Sequence, residues 1–262
     1  MDVCTLCFHG QLLDLMATPN KCGVLAYPLT RRASIKDIIE SQGPPHTEIG
    51  HISADNKAVD FDFIPQPGQI IGIFPVRPPA DPCTPTLLCP TPAPRLQFLV
   101  DVNVGKLAKL LRMLGLDAEF HCSWSDWRIA HKALQEGRIV LSKDRGLLKR
   151  NHIQWGRLIR GQTPREQLVE VLSFFGIRPP LAIFSRCLSC NTPLQPVDKK
   201  DIEHRLKPKT KRFYQRFQIC PTCERIYWRG SHHRHMQQWL EETIPGITSS
   251  CHLSSRFENT FW

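Results

Sequence analysis

Long apolar runs are what this 262-residue chain most plainly lacks. No stretch of about 18 apolar residues occurs, which excludes an ordinary membrane-spanning helix. The start, Met-Asp-Val-Cys-Thr-Leu-Cys, has no positive leader followed by an apolar run and a small-residue cleavage site, so no signal peptide is expected. No internal repeat is visible, which argues against a solenoid or propeller. Acidic side chains are in deficit, 24 against 34 Lys and Arg, for a net charge of +10. The deficit is uneven: residues 1–95 hold 7 basic and 9 acidic side chains, leaving 27 and 15 for residues 96–262. Only the second part has the field of a polyanion-seeking surface, fit for nucleic acid or an anionic membrane, with a solvated basic face as the plain alternative. Cysteine is not scarce. Eleven cysteines without a secretory leader point to a reducing, cytoplasmic setting, where paired thiols bind metal more often than they bridge.

Length allows two domains plus a small module. The clearest boundary is residues 77–95, where seven prolines fall within nineteen positions and predict a stiff, extended linker. Ahead of it, residues 3–9 and 22–29 read as strands. Ser34 opens a helix with Ile35, Ile38 and Ile39 on one face, and Gly43 with Pro44 and Pro45 ends it. Shorter strands near 50–60 and a closing strand over Gly68 to Val76 complete an α+β order that resembles the β-grasp, ubiquitin-like fold. Sulfur carriers of that fold act through a free C-terminal Gly-Gly. Here Val76 runs into Arg77, Pro78 and Pro79, so residues 1–76 are read as a docking or regulatory module with a protein partner. Cys4 and Cys7 share the spacing of a metal knuckle but lie in the first strand and read as buried hydrophobes.

After the linker, strands and helices alternate, which implies a parallel α/β sheet over residues 96–183. Leu96 to Val100 is a buried-strand run ending at Asp101. Leu107, Leu110, Leu111 and Leu114 mark the inner face of the next helix, with Lys106, Lys109 and Arg112 outside and Gly115 as its stop. A strand over Ala118 to Phe120 follows. Ser125 then caps a helix carrying Ile129, Ala130, Ala133 and Leu134, closed by Gly137, and Ile139 to Leu141 form another strand that runs through Ser142 and Lys143 to Asp144. Thr163, Pro164 and Glu166 have capping-box spacing ahead of a helix that ends at Gly176.

Asp101 and Asp144 sit at the carboxyl ends of strands, where functional groups gather in such sheets, and Asp126 could join them from its helix. Converging carboxylates need a cation, and hard oxygen ligands select Mg²⁺ or Mn²⁺ for phosphodiester hydrolysis. The competing reading is that each aspartate only caps a helix or turn. Lys143 and Arg145 flank Asp144 and could steer a phosphate, or stand as exposed loop charges. Asn103 could hold a metal-bound water or cap a turn.

Cys187 with Cys190 and Cys220 with Cys223 form two Cys-x-x-Cys knuckles suited to one tetrahedral Zn²⁺, two disulfides or a redox pair being the alternative. The 29 residues between the pairs exceed ordinary ribbon spacing and predict an extended hairpin or inserted arm. Four thiolates close the coordination shell, so the zinc would be structural. From Phe184 to His235 there are 12 basic and 4 acidic residues. Lys207, Lys209, Lys211 and Arg212 lie beside Phe213, Tyr214 and Phe217, a mixture suited to single-stranded RNA unless the aromatics pack inward. Arg229, His232, His233 and His235 read as surface contacts.

Four ordered segments then carry a family resemblance: FLVDVNVGKLAKLLRMLGLDAEF (98–120), IVLSKDRGLLKR (139–150), FSRCLSCNTPL (184–194) and CPTCERIYWRGSHHRHM (220–236). Together they resemble the Mut-seven C-terminal RNase domain family, a PIN-like nuclease domain with a zinc ribbon, prokaryotic members of which often carry a β-grasp domain ahead of it. The resemblance implies an α/β PIN-like fold over 96–183, a zinc ribbon over 184–240 and a divalent-metal ribonuclease; the Ser-rich composition after Pro245 separately predicts a flexible tail over 241–262. Its acidic ligands match Asp101, Asp144 and Asp126; a fourth acid, usual in PIN-type sites, has no clear counterpart here.

Overall fold

The computed structural model describes residues 2–18 and 22–247. In chain order the first elements are β1 (Val3–Phe8), β2 (Val24–Pro28), α1 (Ile35–Ser41), β3 (Ile49–Ala54), β4 (Lys57–Ala58), β5 (Ile70–Pro75) and β6 (Gln97–Val100). They continue with α2 (Gly105–Met113), β7 (Asp117–Glu119), α3 (Asp126–Glu136), β8 (Ile139–Ser142), α4 (Arg145–Leu148), β9 (Gly156–Leu158) and α5 (Pro164–Phe174). The last are β10 (Gln195–Val197), α6 (Lys199–Ile202), α7 (Pro208–Phe213), β11 (Phe217–Ile219), β12 (Ile226–Tyr227) and α8 (Ser231–Thr243). Two compact units result, and neither is a continuous stretch of chain.

The first unit draws on the described residues up to Gly105, on Phe120–Arg160 and on Ser173–Gly176. It holds a mixed five-stranded sheet of order β2-β1-β5-β3-β4, in which β1 is antiparallel to β2 and parallel to β5. α1 follows its predicted pattern: Ser34 Oγ accepts from Asp37 N at 3.2 Å, and Ile35, Ile38 and Ile39 are buried. Burying each isoleucine is worth about 1.5–3 kcal/mol. The same unit contains β6, β8 and β9, parallel and adjacent in that order, with Phe98 beside Ile139 and Val140 beside Gly156. All four residues of β8 are buried, as the continuous apolar run predicts. Gly137 ends α3 in the left-handed conformation at φ 63°, a C-cap that glycine adopts without steric cost.

One hydrophobic cluster joins these parts. Leu6, Ile39, Ile52 and Ile73 from the five-stranded sheet region share it with Leu99, Ile129, Leu147 and Ile153. Polar ties reinforce it. His46 bridges Glu40 Oε1 at 2.6 Å and the Ile153 carbonyl at 2.7 Å, and Lys149 Nζ donates to the Glu40 carbonyl at 2.5 Å. Glu48 is fully buried. It accepts from Arg157 Nη1 at 2.7 Å and from Leu158 N at 2.9 Å, with Arg160 Nη2 at 3.5 Å. The N-terminal module is thus built into the unit rather than tethered to it.

The proline-rich segment 77–95 is likewise no extended rod. Ala80 N donates to Phe174 O at 2.7 Å, Ala93 N donates to Pro82 O at 2.8 Å, and both alanines are buried. A Cβ on Gly137 would fall 2.4 Å from Pro94 Cδ, which shows how closely the segment is packed. Prolines stiffen a free chain but do not stop it folding back when a surface is offered, and the sequence pattern does not distinguish the two outcomes.

The second unit draws on Lys106–Glu119, Gly161–Leu172 and the described residues from Ile177 onward. The capping box that opens α5 is formed in both directions: Thr163 Oγ1 accepts from Glu166 N at 3.2 Å, and Glu166 Oε2 accepts from Thr163 N at 3.0 Å. A small antiparallel sheet of order β10-β11-β12 carries the cysteine-rich region. The inserted arm expected between the knuckles is β10, α6, a 3-10 turn over Glu203–Arg205, and α7. α8 was not expected. It reaches Thr243, so residues 241–243 are helical, while the expected flexible tail over 248–262 lies outside the described residues.

Candidate functional site

β6 and β8 end side by side, with Val100 paired to Leu141, so the residues that follow them emerge at one edge of the parallel strands. Asp101 N donates back to Leu141 O at 3.0 Å, and Asp101 Oδ1 accepts from Val102 N at 2.6 Å, capping the 3-10 turn over Val102–Val104. Its other oxygen, Oδ2, accepts from Ser142 Oγ at 2.6 Å and from Asn103 Nδ2 at 2.6 Å. Ser142 Oγ in turn accepts from Asp144 N at 2.8 Å and from Asn103 Nδ2 at 3.2 Å, while Asn103 Oδ1 accepts from Lys143 N at 3.0 Å. Asp101 and Asp144 therefore belong to one network, with Ser142 as the atom between them. Sequence reading passed over Ser142; its position between a strand and an aspartate was the available signal.

Asp101 is only 5% exposed, and among the described residues no lysine, arginine or histidine pairs with it. Burying a bare carboxylate costs several kcal/mol, and hydrogen bonds to a charged group return about 1.5–3 kcal/mol each. Asp144 is exposed, and its Oδ1 accepts from Gly146 N at 2.6 Å as the cap of α4. Asp126, the first residue of α3, is turned instead to Arg150, with Nη2 3.5 Å from Oδ2. Among the described residues no three carboxylates gather at ligand distance.

The gathering that does exist is sulfur. The ligand atoms of Cys187, Cys190, Cys220 and Cys223 all lie within 4.8 Å of one another. Sγ separations across the knuckles are 3.6 Å for Cys187 and Cys223 and 3.3 Å for Cys190 and Cys220, well beyond the ~2.05 Å of a disulfide. A tetrahedron with metal–sulfur bonds near 2.3 Å has edges of about 3.8 Å, so the cluster can hold a metal such as zinc. Each knuckle is shaped by its backbone: Cys187 N donates to Thr192 O at 2.8 Å and Cys220 N to Arg225 O at 3.0 Å, with Asn191 and Glu224 at positive φ. Burial alone would raise the Cys187 thiol, but the Tyr227 hydroxyl and the N–H groups of Cys190 and Ser189 outweigh it and pull the pKa down to about 6.

Arg112 corrects an expectation. Placed by periodicity on the outer side of α2, it is 3% exposed. Its Nε donates to Ala118 O at 2.7 Å, and its Nη1 donates to Leu188 O at 3.1 Å and Ser189 O at 2.7 Å, inside the first knuckle. A guanidinium, with five donors in a fixed fork, can be buried where several carbonyls converge on it. Asn191 adds Nδ2 to Asp117 Oδ1 at 2.8 Å, and Arg186 lies 3.3 Å from Asp117. Arg112 and Asn191 are thus supporting residues of the cysteine site that spacing did not reveal.

Of the basic residues singled out by sequence, Lys106, Lys207, Lys209, Lys211, Arg212 and Arg229 are exposed, and Lys211 lies 3.2 Å from Glu203. Arg145 is engaged elsewhere, its Nη1 donating to Leu15 O at 2.9 Å, and Lys143 is half-buried. The aromatics divide: Phe217 is buried, whereas Phe213 is 67% exposed beneath Arg212. His232 and His235 are exposed, but His233 packs at a tilt against Phe184 with ring centroids 4.1 Å apart. Leu134, expected inward on α3, is 42% exposed. Among the described residues no helix is long and apolar enough to cross a membrane.

Comparison with known proteins gives two family matches: residues 96–240 match the Mut7-C RNAse domain, and residues 1–81 match the Mut7-C ubiquitin family. The exonuclease mut-7 homolog of Homo sapiens is 36% identical over 106 residues, covering 38% of this chain and 12% of that protein. No solved structure matches.

Proposed function

The chain belongs to the Mut7-C RNAse domain family, and from that premise we propose that it is a divalent-metal-dependent ribonuclease of PIN-like fold, hydrolysing RNA phosphodiester bonds. One observation carries the reading: a buried aspartate with no cationic partner among the described residues, joined through Ser142 to a second aspartate at the carboxyl edge of parallel strands. All donors there are hard oxygens, which fit Mg²⁺ or Mn²⁺. Asp101 and Asp144 would hold the ion. When bound, such an ion supplies a hydroxide nucleophile at neutral pH and offsets charge developing on the phosphate. Ser142 and Asn103 hold the Asp101 carboxylate in one orientation, and Asp144 is the solvent-exposed member of the pair.

The four cysteines hold structural zinc, since a full thiolate shell leaves no open position for catalysis. The ribbon grips RNA through Lys207, Lys209, Arg212 and Arg229, with Phe213 offering a stacking face and Lys106 adding charge. The ubiquitin-like module still offers its outer face to a protein partner. Ten described cysteines are unbridged, in keeping with a reducing cytoplasm.

The test is cleavage of labelled RNA with Mg²⁺ or Mn²⁺ by wild type, Asp101→Asn and Asp144→Asn. Loss of about 10²-fold or more in each variant is expected, by analogy with removing an electrostatic catalytic group. Equal turnover in all three proteins removes the assigned site. A second reading, a non-catalytic RNA-binding protein, is favoured by one observation: Asp126 is spent on Arg150, and Asp101 and Asp144 both cap turns. Salt-sensitive RNA binding without turnover under either metal would establish it.

A further inference from the structure

The outward face of α3 is the least expected surface in the first unit. Ile129, Ala130 and Ala133 are buried, so the opposite side of the helix carries Trp127, His131 and Leu134 at helical spacing. Trp127 is 62% exposed and Leu134 is 42% exposed. Trp127 and His131 lie one turn apart and stack, with centroids 5.1 Å apart and planes within 17°, and His152 meets His131 edge-on at 6.4 Å. Exposed tryptophan is costly to leave wet, and Trp127, stacked on His131 with His152 edge-on beyond it, presents exposed ring surface rather than a core.

Cations border this surface. The Arg128 guanidinium rests 5.2 Å from the centroid of Trp124, a ring that packs on the core beneath it. Arg128 is exposed, and among the described residues no carboxylate pairs with it. On the other side Arg150, 42% exposed, lies 3.5 Å from Asp126. Arg150 follows α4, the helix that Asp144 caps, so the surface and the candidate site are joined by six residues of chain within the same unit.

We propose that Trp127, His131 and His152, flanked by Arg128 and Arg150, form a base-stacking platform for single-stranded RNA. The identity of the ligand rests on the ribonuclease reading; the platform itself rests on exposed rings and on charge complementary to phosphate. Bases stack on the rings, and the guanidinium groups meet the phosphates on either side. Asp126 then has a role that does not require metal. It holds Arg150 beside the platform until a phosphate competes for it.

The experiment measures fluorescence anisotropy of a labelled uniform single-stranded RNA with the full chain, zinc retained and no Mg²⁺ or Mn²⁺ added. Trp127→Ala is expected to weaken binding about 5- to 100-fold, the range for loss of one stacked base, whereas Trp127→Phe keeps most of it. An abasic sugar–phosphate chain of the same length should bind wild type and Trp127→Ala equally. Arg128→Ala should lower the salt dependence by about 0.7 in log–log slope. Trp127 is exposed, so an unchanged melting curve confirms that the variant is folded. Unchanged RNA affinity in folded Trp127→Ala, or equal losses on RNA and on the abasic chain, overturns the platform. Cleavage that survives in that case leaves the ribonuclease reading standing, because the aspartate variants test it separately.

Discussion

Replacing Glu48 by glutamine removes one charge and almost no volume, yet the structure makes it a damaging substitution. The Glu48 side chain has no exposed area, with Arg157 at 2.7 Å and Arg160 at 3.5 Å. Glutamine can still accept from Leu158 N, so what is lost is the neutralisation of Arg157, itself 5% exposed and lying 4.1 Å from the centroid of the Phe174 ring. Breaking a buried ion pair by removing one partner costs about 3–5 kcal/mol. Arg160 is a third exposed and can turn to water, which places the expectation at the lower end, about 3 kcal/mol. For a chain of this size that is a fall of about 6–12 °C in melting midpoint. Calorimetry with urea unfolding followed by circular dichroism reads it. The paired replacement Glu48→Met with Arg157→Met should recover most of the loss, since well-packed apolar residues often substitute for a buried pair at little cost. A Glu48→Gln midpoint within about 1 °C of wild type would refute the claim that the buried Glu48–Arg157 pair ties the N-terminal module to the parallel strands.

Three further expectations concern the second unit. Arg112→Lys keeps the charge but cannot reach three carbonyls, so zinc affinity measured by chelator competition should fall about 10- to 100-fold, and an unchanged affinity would remove Arg112 from the site. Cys220→Ser should reduce bound metal, measured by elemental analysis, from about one ion per chain to well below that, and should expose the ribbon to protease; a full complement of metal would mean that three thiolates suffice. Burial first, and then the charge of Arg229, hold His233 below its usual pKa of 6.5. The folded state therefore resists protonation, and the stability that His233 contributes is fully present above about pH 6.5 and is lost as the pH falls from there through the lower pKa of the folded state. His233→Phe should flatten this part of the stability profile, and a wild-type melting midpoint that does not fall between about pH 7.5 and pH 5 would refute it.

Much of the local architecture was legible from residue order. The caps at Ser34, Ser125 and Thr163, the stop at Gly137, the buried runs of β6 and β8, and the cysteine spacing each depend on neighbours a few positions away. Chain periodicity also placed Asp101 and Asp144 at strand ends, and both lie there. What the sequence left undetermined were matters of distant partnership. Arg112 turns inward because carbonyls 76 and 77 residues away converge on it, and Arg145 because a carbonyl 130 residues away lies within reach. The proline-rich segment folds onto the unit because a surface formed by other elements receives it, and Trp127 is left exposed because the same helix spends its other face on the core. By itself the sequence determined the elements, the four thiols and the candidate carboxylates, since these follow from short-range sterics and side-chain chemistry. Only the tertiary structure decided which charges are buried and paired. Burial and pairing depend on groups brought together from far along the chain, where the loss of water multiplies the worth of each contact.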